Sequence, residues 1–347
     1  MSDTIQIAKS SKPKASRLSV GELMRSPAMG AFVGMVLVFC IFAAFGFHKN
    51  FLSVFGIANW MNFASMIGIV AIPVGFLMIA GELDISVGAI MPASAMTLGI
   101  LCGPYELPLG LGMLITFAMA AGIGWINGIL VTRTQVPSFI VTLATLFAVG
   151  GLTLTLSVIF VNRPQVAYEA PELAKALLGD RYFGFRASVF WWILLSAVLY
   201  FILHKSPWGN WIFAVGGDSE SARNAGIPVN RLKTALFVLS AVCTAFAGML
   251  QVAAFNSAQS ATNFPLIFNT IIACVVGGVV LTGGFGTLIG IFFGTMTLGI
   301  VQQGIGYTDI DRNLSQLIIG VMLLAAVLMN GTFQKLATSW STSKKED

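Results

Sequence analysis

Long runs of apolar residues, separated by short polar stretches, follow one another along nearly the whole chain. A transmembrane helix needs roughly 20 consecutive apolar residues, so each run of about this length predicts a membrane span. The pattern predicts an all-α integral membrane protein with about ten transmembrane helices, some short enough to be broken inside the membrane. The predicted spans cover residues 29–47, 60–80, 87–103, 108–131, 138–161, 189–204, 234–255, 266–282, 286–304 and 314–331.

Composition supports this interpretation. Of the 347 residues, 56% are hydrophobic and only 10% are charged, whereas soluble domains carry roughly 25% charged residues. So few charges cannot cover a water-facing surface, and most of the surface must face lipid or other apolar helices. Residues 29–331 are therefore predicted to form one membrane domain between two cytoplasmic tails, a disordered one at 1–28 and another at 332–347.

Charged residues also predict the orientation in the membrane. If the N-terminus lies inside and the ten spans alternate, thirteen of the nineteen Lys and Arg residues fall on the inside. Cytoplasmic segments collect Lys and Arg, so both termini are expected in the cytoplasm. Two connections are then long enough to hold structure, an outer loop at 162–188 and a cytoplasmic loop at 205–233. In the outer loop, APELAKALLG predicts a short helix that starts near Pro171 and ends at Gly179.

Several function classes are disfavoured. The net charge of +5 fits the positive-inside rule, and no basic patch interleaved with aromatic residues indicates nucleic-acid binding. The four cysteines lie in or beside apolar runs without the spacing of a disulfide framework or a metal site. The sequence has no G-x-x-x-x-G-K-[ST] phosphate loop and no hydrolase or metalloprotease motif. We therefore expect no catalysis, metal or cofactor in this chain.

The segment GELDISVG, residues 81–88, places two acidic residues between apolar runs. Charged groups at membrane depth are expensive and usually face a protein interior or a water-filled path. Glu82, Asp84, Ser86 and Gly88 are therefore candidates for a gate or a translocation path. The alternative is a loop just outside the bilayer, in which Asp84 or Ser86 caps the next helix. The two interpretations are compatible.

The cytoplasmic segment GGDSESARNAGIPVNRLK, residues 216–233, predicts a short helix with marked ends. Asp218 or Ser219 would supply the N-cap, and Glu220 would lie in the first turn near the positive end of the helix dipole. Gly226 is the expected glycine after the last turn, and Pro228 prevents continuation. The helix could be a rigid knob on which a soluble partner acts, or a plain amphipathic connector.

The glycine-rich segment VVGGVVLTGGFGTLIG, residues 275–290, permits close helix packing or an unwound backbone inside the membrane. Gly283 and Gly284 are candidate path residues under the second interpretation. Asn62 is a further candidate, because a path for a polar solute needs amides and hydroxyls that pair with the polar groups of the solute. Each polar residue inside a span could equally form hydrogen bonds between helices.

A weak internal repeat is visible at an offset of 202 residues. It pairs Gly81 with Gly283 and Gly88 with Gly290, so that both copies contain a glycine-rich break between two apolar runs. Transporters are often built from such repeats. Apolar residues and glycines also match by chance in membrane proteins.

The three motifs together resemble the permeases of the ribose, xylose, arabinose and galactose class of bacterial ABC importers. AGELDISVG is similar to the Gly-Gly-x-Asp-Leu-Ser-Val-Gly signature of that family, from which it departs at Glu82 and Ile85. Residues 211–233 resemble the cytoplasmic loop of the family and its E-A-A-x-x-x-G pattern, with Ser221 replacing the middle alanine. LTGGFGTLIG resembles its late glycine-rich turn. Together the motifs cover most of residues 50–331 in the same order.

The resemblance implies a permease subunit that translocates a simple sugar across the bacterial inner membrane. It implies three kinds of partner in addition to membrane lipid: a cytoplasmic ABC ATPase that uses the ATP, a periplasmic sugar-binding protein, and a second permease chain forming a homodimer or a heterodimer. The implied ATPase-coupling residues are Gly217, Asp218, Glu220, Ala222, Arg223, Gly226 and Ile227.

Alternatives to this function remain. An ion-coupled secondary transporter would use Glu82 and Asp84 to carry protons or sodium. A membrane-embedded enzyme is disfavoured by the missing motifs. Within the importer class, the cargo could also be a sugar alcohol or a furanosyl signalling molecule.

Overall fold

The computed structural model describes residues 27–309 together with 311, 313, 314, 316–322 and 324. The predicted tails therefore lie outside the described residues except for residues 27 and 28, and so do nine of the eighteen residues of the predicted span 314–331. Of that span, residues 316–322 are helical.

The described part is almost entirely helical, as predicted. Its principal helices, in chain order, are α1 (Pro27–Phe45), α2 (Val54–Ile79), α3 (Val87–Cys102), α4 (Leu109–Arg133), α5 (Ser138–Val161), α6 (Ala187–Lys205), α7 (Pro207–Gly217), α8 (Ser219–Asn224), α9 (Val229–Phe255), α10 (Phe264–Val276) and α11 (Leu288–Gly304). Short 3₁₀ turns occupy Phe47–Lys49 and Ile305–Tyr307.

Seven of the described helices are long and apolar enough to cross a membrane: α1, α2, α4, α5, α6, α9 and the last, which with its 3₁₀ turn extends over Leu288–Tyr307. The apolar helices α3 and α10 are shorter. With 13 residues, α10 is only about 20 Å long at 1.5 Å per residue, less than the roughly 30 Å of the hydrocarbon core. Short and broken helices were expected from the sequence.

The predicted span 266–282 was too long at its C-terminal end. Helix α10 ends at Val276, because the backbone turns at Gly278, which adopts a φ of +87°. The N–H of Val279 donates to the carbonyl of Cys274 at 3.0 Å, and that of Gly278 donates to Val275 at 2.9 Å. These two bonds form the Schellman ending that glycine favours. Residues 277–287 are therefore a turn and not the end of a span.

Two helices begin at least five residues earlier than predicted. Helix α2 starts at Val54, where the hydroxyl of Ser53 accepts a hydrogen bond from the N–H of Gly56 at 3.1 Å. Helix α9 starts at Val229, directly after Pro228. Its first turn carries Asn230 and Arg231, so the polar start of this helix lay outside the apolar run used for the prediction.

The loop 162–188 carries the strands of the described chain together with residues 257–259. Strand β1 (Gln165–Ala167) pairs antiparallel with β4 (Ser257–Gln259), and β2 (Arg181–Tyr182) forms a hairpin with β3 (Phe185–Arg186). Between β1 and β2 lie helical turns at Glu172–Ala174 and Lys175–Gly179. The short helix expected from Pro171 to Gly179 is thus present.

The core is built around α2, which is buried along most of its length. Helix α9 packs against α2, α3 and α4, while α2 also packs against α6, α10 and α11. In contrast, α1, α4 and α5 bury few of their residues, and many of their large apolar side chains are exposed. Large exposed apolar surfaces of this kind are expected where helices face lipid or a partner chain.

Candidate functional site

The turn after α2 is fixed by its own backbone. Gly81 adopts a φ of +82°, and the N–H of Glu82 donates to the carbonyl of Leu77 at 2.9 Å while that of Gly81 donates to Met78 at 3.0 Å. This is a Schellman ending like the one that terminates α10. It sends residues 82–86 back towards the interior, where α3 begins.

Asp84 lies at the centre of a buried hydrogen-bond network. Only 2% of the residue is exposed, and its carboxyl group accepts hydrogen bonds from the N–H of Ser86 at 3.0 Å, the hydroxyl of Ser86 at 2.5 Å and the hydroxyl of Ser240 at 2.8 Å. The side-chain N–H of Asn127 donates to the Ser86 hydroxyl at 3.0 Å, and the hydroxyl of Thr145 donates to the side-chain oxygen of Asn127 at 2.6 Å. The network joins the turn to α4, α5 and α9.

The expected capping role of Asp84 or Ser86 is not found. Ser86 precedes α3, but no side-chain hydrogen bond caps that helix. The Ser86 hydroxyl instead donates to Asp84, whose carboxyl oxygens accept hydrogen bonds from Ser86 and Ser240. Burial explains the difference, because a carboxyl group enclosed by helices needs partners on all sides, whereas a cap at a water-facing helix end does not.

The backbone of the same turn is held by α5. The N–H of Leu83 donates to the Ser138 hydroxyl at 3.0 Å, and the N–H of Ile85 donates to the Thr142 hydroxyl at 3.3 Å. Backbone N–H groups of a turn that is enclosed by apolar protein must find such hydrogen-bond acceptors. Residues 83–86 are thereby tied to α5 as well as to the carboxyl network.

Glu82 forms an ion pair with Lys233 on α9. The Nζ of Lys233 lies 2.5 Å from the Oε1 of Glu82, and the two side chains are only 15% and 11% exposed, respectively. Glu82 was predictable as a site residue from the sequence, but its partner was not. Ser240 was also missed, although it lies seven residues after Lys233. This spacing of two helical turns places both side chains on one face of α9.

The three sequence motifs meet at one end of the bundle. The N–H of Gly284 donates to the carbonyl of Ile79 at 2.8 Å. A Cβ added at Gly216 would lie 1.7 Å from that same carbonyl oxygen, and one at Gly283 would lie 2.9 Å from the Cα of Gly81. Glycine is therefore required sterically where the turn after α2, the end of α7 and the glycine-rich turn come into contact.

The loop 205–233 contains two helices, of which the sequence predicted the second. Helix α7 has Pro207 at its first position, after Ser206, and this start signal was overlooked. Helix α8 has the predicted ends. The N–H groups of Glu220 and Ser221 donate to the Asp218 carboxylate at 2.8 and 3.0 Å, and Gly226 adopts a φ of +86°.

Helix α8 presents its polar side outward. Ala222 is buried and Ile227 is half-buried, while Gly217, Glu220 and Arg223 are exposed. The N–H of Ile227 donates to the carbonyl of Ala222 at 3.1 Å and completes a Schellman ending. Helix α8 has six residues, is anchored by the side chains of Ala222 and Ile227, and has a capping motif at each end. It therefore forms a well-defined projection from the bundle.

Asn62 lies apart from the other candidate path residues. Its side chain accepts from the N–H of Arg186 at 2.7 Å and donates to the carbonyl of Gly184 at 3.1 Å. Asn62 precedes Ile79 by 17 residues of α2, which corresponds to about 25 Å along the helix. These contacts hold the β2–β3 hairpin.

An open groove of about 490 Å³ lies between α5 and the extended segment before α10. It is lined by Gly150, Gly151, Leu154, Pro164, Gln165, Gln259, Ser260, Ala261 and Thr262. None of these nine residues is charged. The extended segment ends at Asn263, whose N–H donates to the carbonyl of Gly88 at 2.8 Å. Irregular backbone at membrane depth is tolerated where protein or a water-filled cavity surrounds it.

Among the described residues, no three His, Cys, Asp or Glu side chains come close enough together to bind a metal ion. The two buried cysteines, Cys243 and Cys274, are free thiols. The polar groups of the site are paired with one another and with the backbone. Their arrangement is suited to holding helix ends and turns in fixed positions.

Spanning helices, short broken helices and a buried polar junction beside a projecting helix define a multi-pass membrane transport component. The chain belongs to the family described as "branched-chain amino acid transport system / permease component", which matches residues 56–327. This membership confirms the prediction that the chain is a permease subunit, in preference to an ion-coupled secondary transporter.

Individual relatives match nearly the whole chain. It is 28% identical over 324 residues to the fructose import permease protein of Rhizobium meliloti, covering 91% of this chain and 88% of the relative. It is 32% identical over 302 residues to an L-arabinose ABC transporter permease protein of Azospirillum brasilense, covering 86% of each. It is 28% identical over 304 residues to the ribose import permease protein of Bacillus subtilis, covering 87% and 92%. No solved structure matches the chain.

Proposed function

We propose that the chain is the membrane-spanning permease subunit of an ATP-binding cassette importer that translocates a simple sugar, a pentose or a hexose, across the inner membrane. The observation that carries the proposal is the match to three relatives over 86–91% of this chain, each named for a monosaccharide. Matches of this extent include the turn at 81–88, the projecting helix α8 and the glycine-rich turn.

The family description favours a second cargo, a branched-chain amino acid. Such a cargo carries an ammonium and a carboxylate group, and burying these groups without charged partners is costly. The groove beside α5 has amides and hydroxyls from Gln165, Gln259, Ser260 and Thr262 but no charged side chain. Sugar hydroxyls can pair with such groups, so the lining supports a sugar more than an amino acid.

The proposal includes the topology. The seven membrane-length helices, together with α3 and α10, give nine apolar helices, and the predicted span 314–331 would be the tenth. With ten spans both termini lie in the cytoplasm, the loop 162–188 faces the periplasm and the loop 205–233 faces the cytoplasm. The arginines and lysines of 205–233 support that orientation.

The proposed partners follow from this orientation. A cytoplasmic ATPase would dock on α8 and hydrolyse the ATP, so this chain itself would bind no cofactor. A periplasmic binding protein would deliver the sugar on the opposite face. A second permease chain, identical or related, would cover exposed helices such as α5, and lipid would cover the rest.

The cargo is tested by transport in vesicles. The permease, its ATPase and its binding protein are reconstituted, and uptake of tritiated ribose, arabinose, fructose and leucine is measured with and without ATP. We expect ATP-dependent uptake of at least one sugar and none of leucine. Leucine uptake alone would indicate an amino-acid importer. Sugar uptake that survives ATP removal and collapses with an uncoupler would reject the ATP-driven mechanism.

The docking site is tested by reversing one charge. Glu220→Lys places a cation near the positive end of the α8 dipole and on its exposed face. We expect less ATPase to co-purify and uptake to become uncoupled from ATP hydrolysis, with membrane insertion unchanged. Glu172→Lys is the matched control, because Glu172 is also exposed but lies in the opposite loop. Wild-type co-purification and uptake with Glu220→Lys would reject α8 as the docking site.

A further inference from the structure

We propose that the ion pair between Glu82 and Lys233 is a link through which movement of the ATPase-docking helix α8 is transmitted to the buried turn at residues 82–86. Glu82 and Lys233 are then positioning residues for coupled transport. The inference rests on the proposed function, in which an ATPase moves α8.

The first step of the link joins α8 to Lys233. Only Ala225–Pro228 separate α8 from α9, and Lys233 is the fifth residue of α9. The guanidinium of Arg223 donates to the side chain of Asn230 at 3.2 Å. The Schellman ending fixes the intervening backbone through the bond from Ile227 to Ala222. Helix α8 and the first turns of α9 are thus joined as one unit.

The second step joins Glu82 to the buried network. Glu82 is followed by Leu83, whose N–H is bonded to Ser138 of α5, and then by Asp84, whose carboxyl group is bonded to Ser240 of α9. Through Ser86 and Asn127 the same network reaches α4. A displacement of Glu82 therefore acts on a turn that contacts three helices.

The ion pair acts differently from the close packing of Gly216 against Ile79 and Gly283. At Ile79, Gly216 and Gly283 the backbones are packed too closely for a side chain. Such packing resists approach of the two segments but offers little resistance to their separation. An ion pair with little solvent exposure attracts over a longer range and is weakly screened, so it resists separation. Packing can thus transmit a push from α8, and the pair transmits a pull.

The pair involves a residue at which this chain departs from the family signature that it resembles. Glu82 occupies the position where the similar family signature has glycine, which has no side chain to reach Lys233. The inference therefore concerns how this permease is coupled and adds a contact that the signature itself does not contain.

The test uses the reconstituted complex and measures ATP hydrolysed per sugar transported, with the sugar found in the uptake experiment. Glu82→Gln and Lys233→Gln each leave one charge unpaired, and the double variant Glu82→Gln/Lys233→Gln removes both charges. All three should raise ATP consumption per sugar by about tenfold, which lies in the lower part of the roughly 5- to 150-fold range for coupling between sites. ATPase co-purification should remain at the wild-type level.

Two further variants separate coupling from mere stability. The reversed pair Glu82→Lys/Lys233→Glu should bring the ratio back towards the wild-type value. Lys49→Gln is the matched control, because it breaks the ion pair with Asp309, which is largely exposed and lies away from α8. It should leave the ratio unchanged.

The double neutral variant decides the case if the single variants fail to fold, since it leaves no unpaired charge. A wild-type ratio in that variant, or an equal rise with Lys49→Gln, would overturn the link. If Glu220→Lys abolishes ATPase docking while the ion-pair variants transport normally, only this inference fails. If Glu220→Lys has no effect either, the proposed docking site fails with it.

Discussion

Gly81 and Gly283 contact each other across 202 residues, and both adopt a positive φ, +82° and +87°. A Cβ on Gly283 would lie 2.9 Å from the Cα of Gly81 and 2.8 Å from the carbonyl oxygen of Gly216. The contact joins the turn after α2 to the glycine-rich turn before α11. The two glycines are also partners in the weak sequence repeat.

Gly283→Ala should therefore loosen this junction. The left-handed backbone costs a residue with a Cβ roughly 1–2 kcal/mol, and the close contacts add to that cost. We expect a lower melting temperature of the purified permease. We also expect weaker ATPase co-purification, because the neighbouring Gly216 belongs to α7, which leads directly into the proposed docking helix α8. Differential scanning fluorimetry in detergent measures the first effect, and affinity purification measures the second.

Gly122→Ala is the control for this experiment. Gly122 lies within α4, and an added Cβ would have no atom within 4 Å. Alanine favours a helix over glycine by up to about 1 kcal/mol, so stability should be unchanged or slightly higher. Equal effects of the two substitutions would contradict the steric explanation.

The hydrogen-bond network around Asp84 predicts a graded loss of stability when its members are substituted. Ser240→Ala removes one of the three hydrogen bonds to the buried carboxyl group, which should cost about 1–3 kcal/mol. Asp84→Ala leaves the Ser86 and Ser240 hydroxyls without their acceptor and should cost more. Thermal unfolding in detergent should rank the variants as wild type, Ser240→Ala, then Asp84→Ala.

Ser196→Ala provides the comparison for Ser240→Ala. Ser196 is also buried, but its hydroxyl donates only to the carbonyl of Trp192 in its own helix, at 2.6 Å. Its loss should have little effect, because that carbonyl already accepts within the helix. If Ser196→Ala destabilises the permease as strongly as Ser240→Ala, the hydrogen bond from Ser240 to Asp84 does not contribute the expected extra stability.

Asn62 should act as an anchor for the β2–β3 hairpin. Asn62→Ala removes both hydrogen bonds to the β2–β3 segment, at Arg186 and Gly184. We expect faster tryptic cleavage at Arg181 or Arg186 and an unchanged ratio of uptake rates among ribose, arabinose and fructose. Mass spectrometry of the fragments locates the cleavage.

Asn59→Ala is the matched control, because Asn59 makes only long contacts of 3.4 Å, to Gln303 and Tyr307. It should leave cleavage at the hairpin unchanged. A changed sugar preference with Asn62→Ala, without faster cleavage, would instead place Asn62 in the path.

Local signals made much of this architecture predictable. The apolar runs identified nine described helices, and cap residues such as Asp218 and Gly226 located both ends of α8. Those features depend on residues a few positions apart. The end of α10 was misplaced because the apolar run continues through Val279, Val280 and Leu281, while the glycines at 277 and 278 turn the backbone.

The long-range contacts of the site were not predictable in the same way. Glu82 and Lys233 are 151 residues apart, and a single sequence contains no signal that pairs them. Asp84 looked like a helix cap because the sequence does not show that α9 covers it. The repeat was also only partly informative. Gly81 pairs with Gly283 at the offset of 202, yet the glycine that ends α10 is Gly278, because the second turn is longer.

Acid should weaken α8 through Asp218. Hydrogen bonds from the backbone N–H groups of Ser221 and Glu220 hold the pKa of the Asp218 carboxyl below its ordinary value. Because the folded-state pKa is the lower one, the stabilisation of α8 is fully present above the unfolded-state pKa, about 3.9. It is lost as the pH falls through the folded-state value. Hydrogen exchange at the Ser221 amide, corrected for the intrinsic rate, should therefore lose protection below about pH 4.

Asn caps a helix about as well as Asp but does not titrate in this range. Asp218→Asn should therefore keep much of the neutral-pH protection at Ser221 and remove its dependence on acid. Asp218→Ala should lower the protection at every pH. If wild type and Asp218→Asn lose protection in parallel on acidification, another group controls α8, and the Asp218 carboxylate is not the source of its stability.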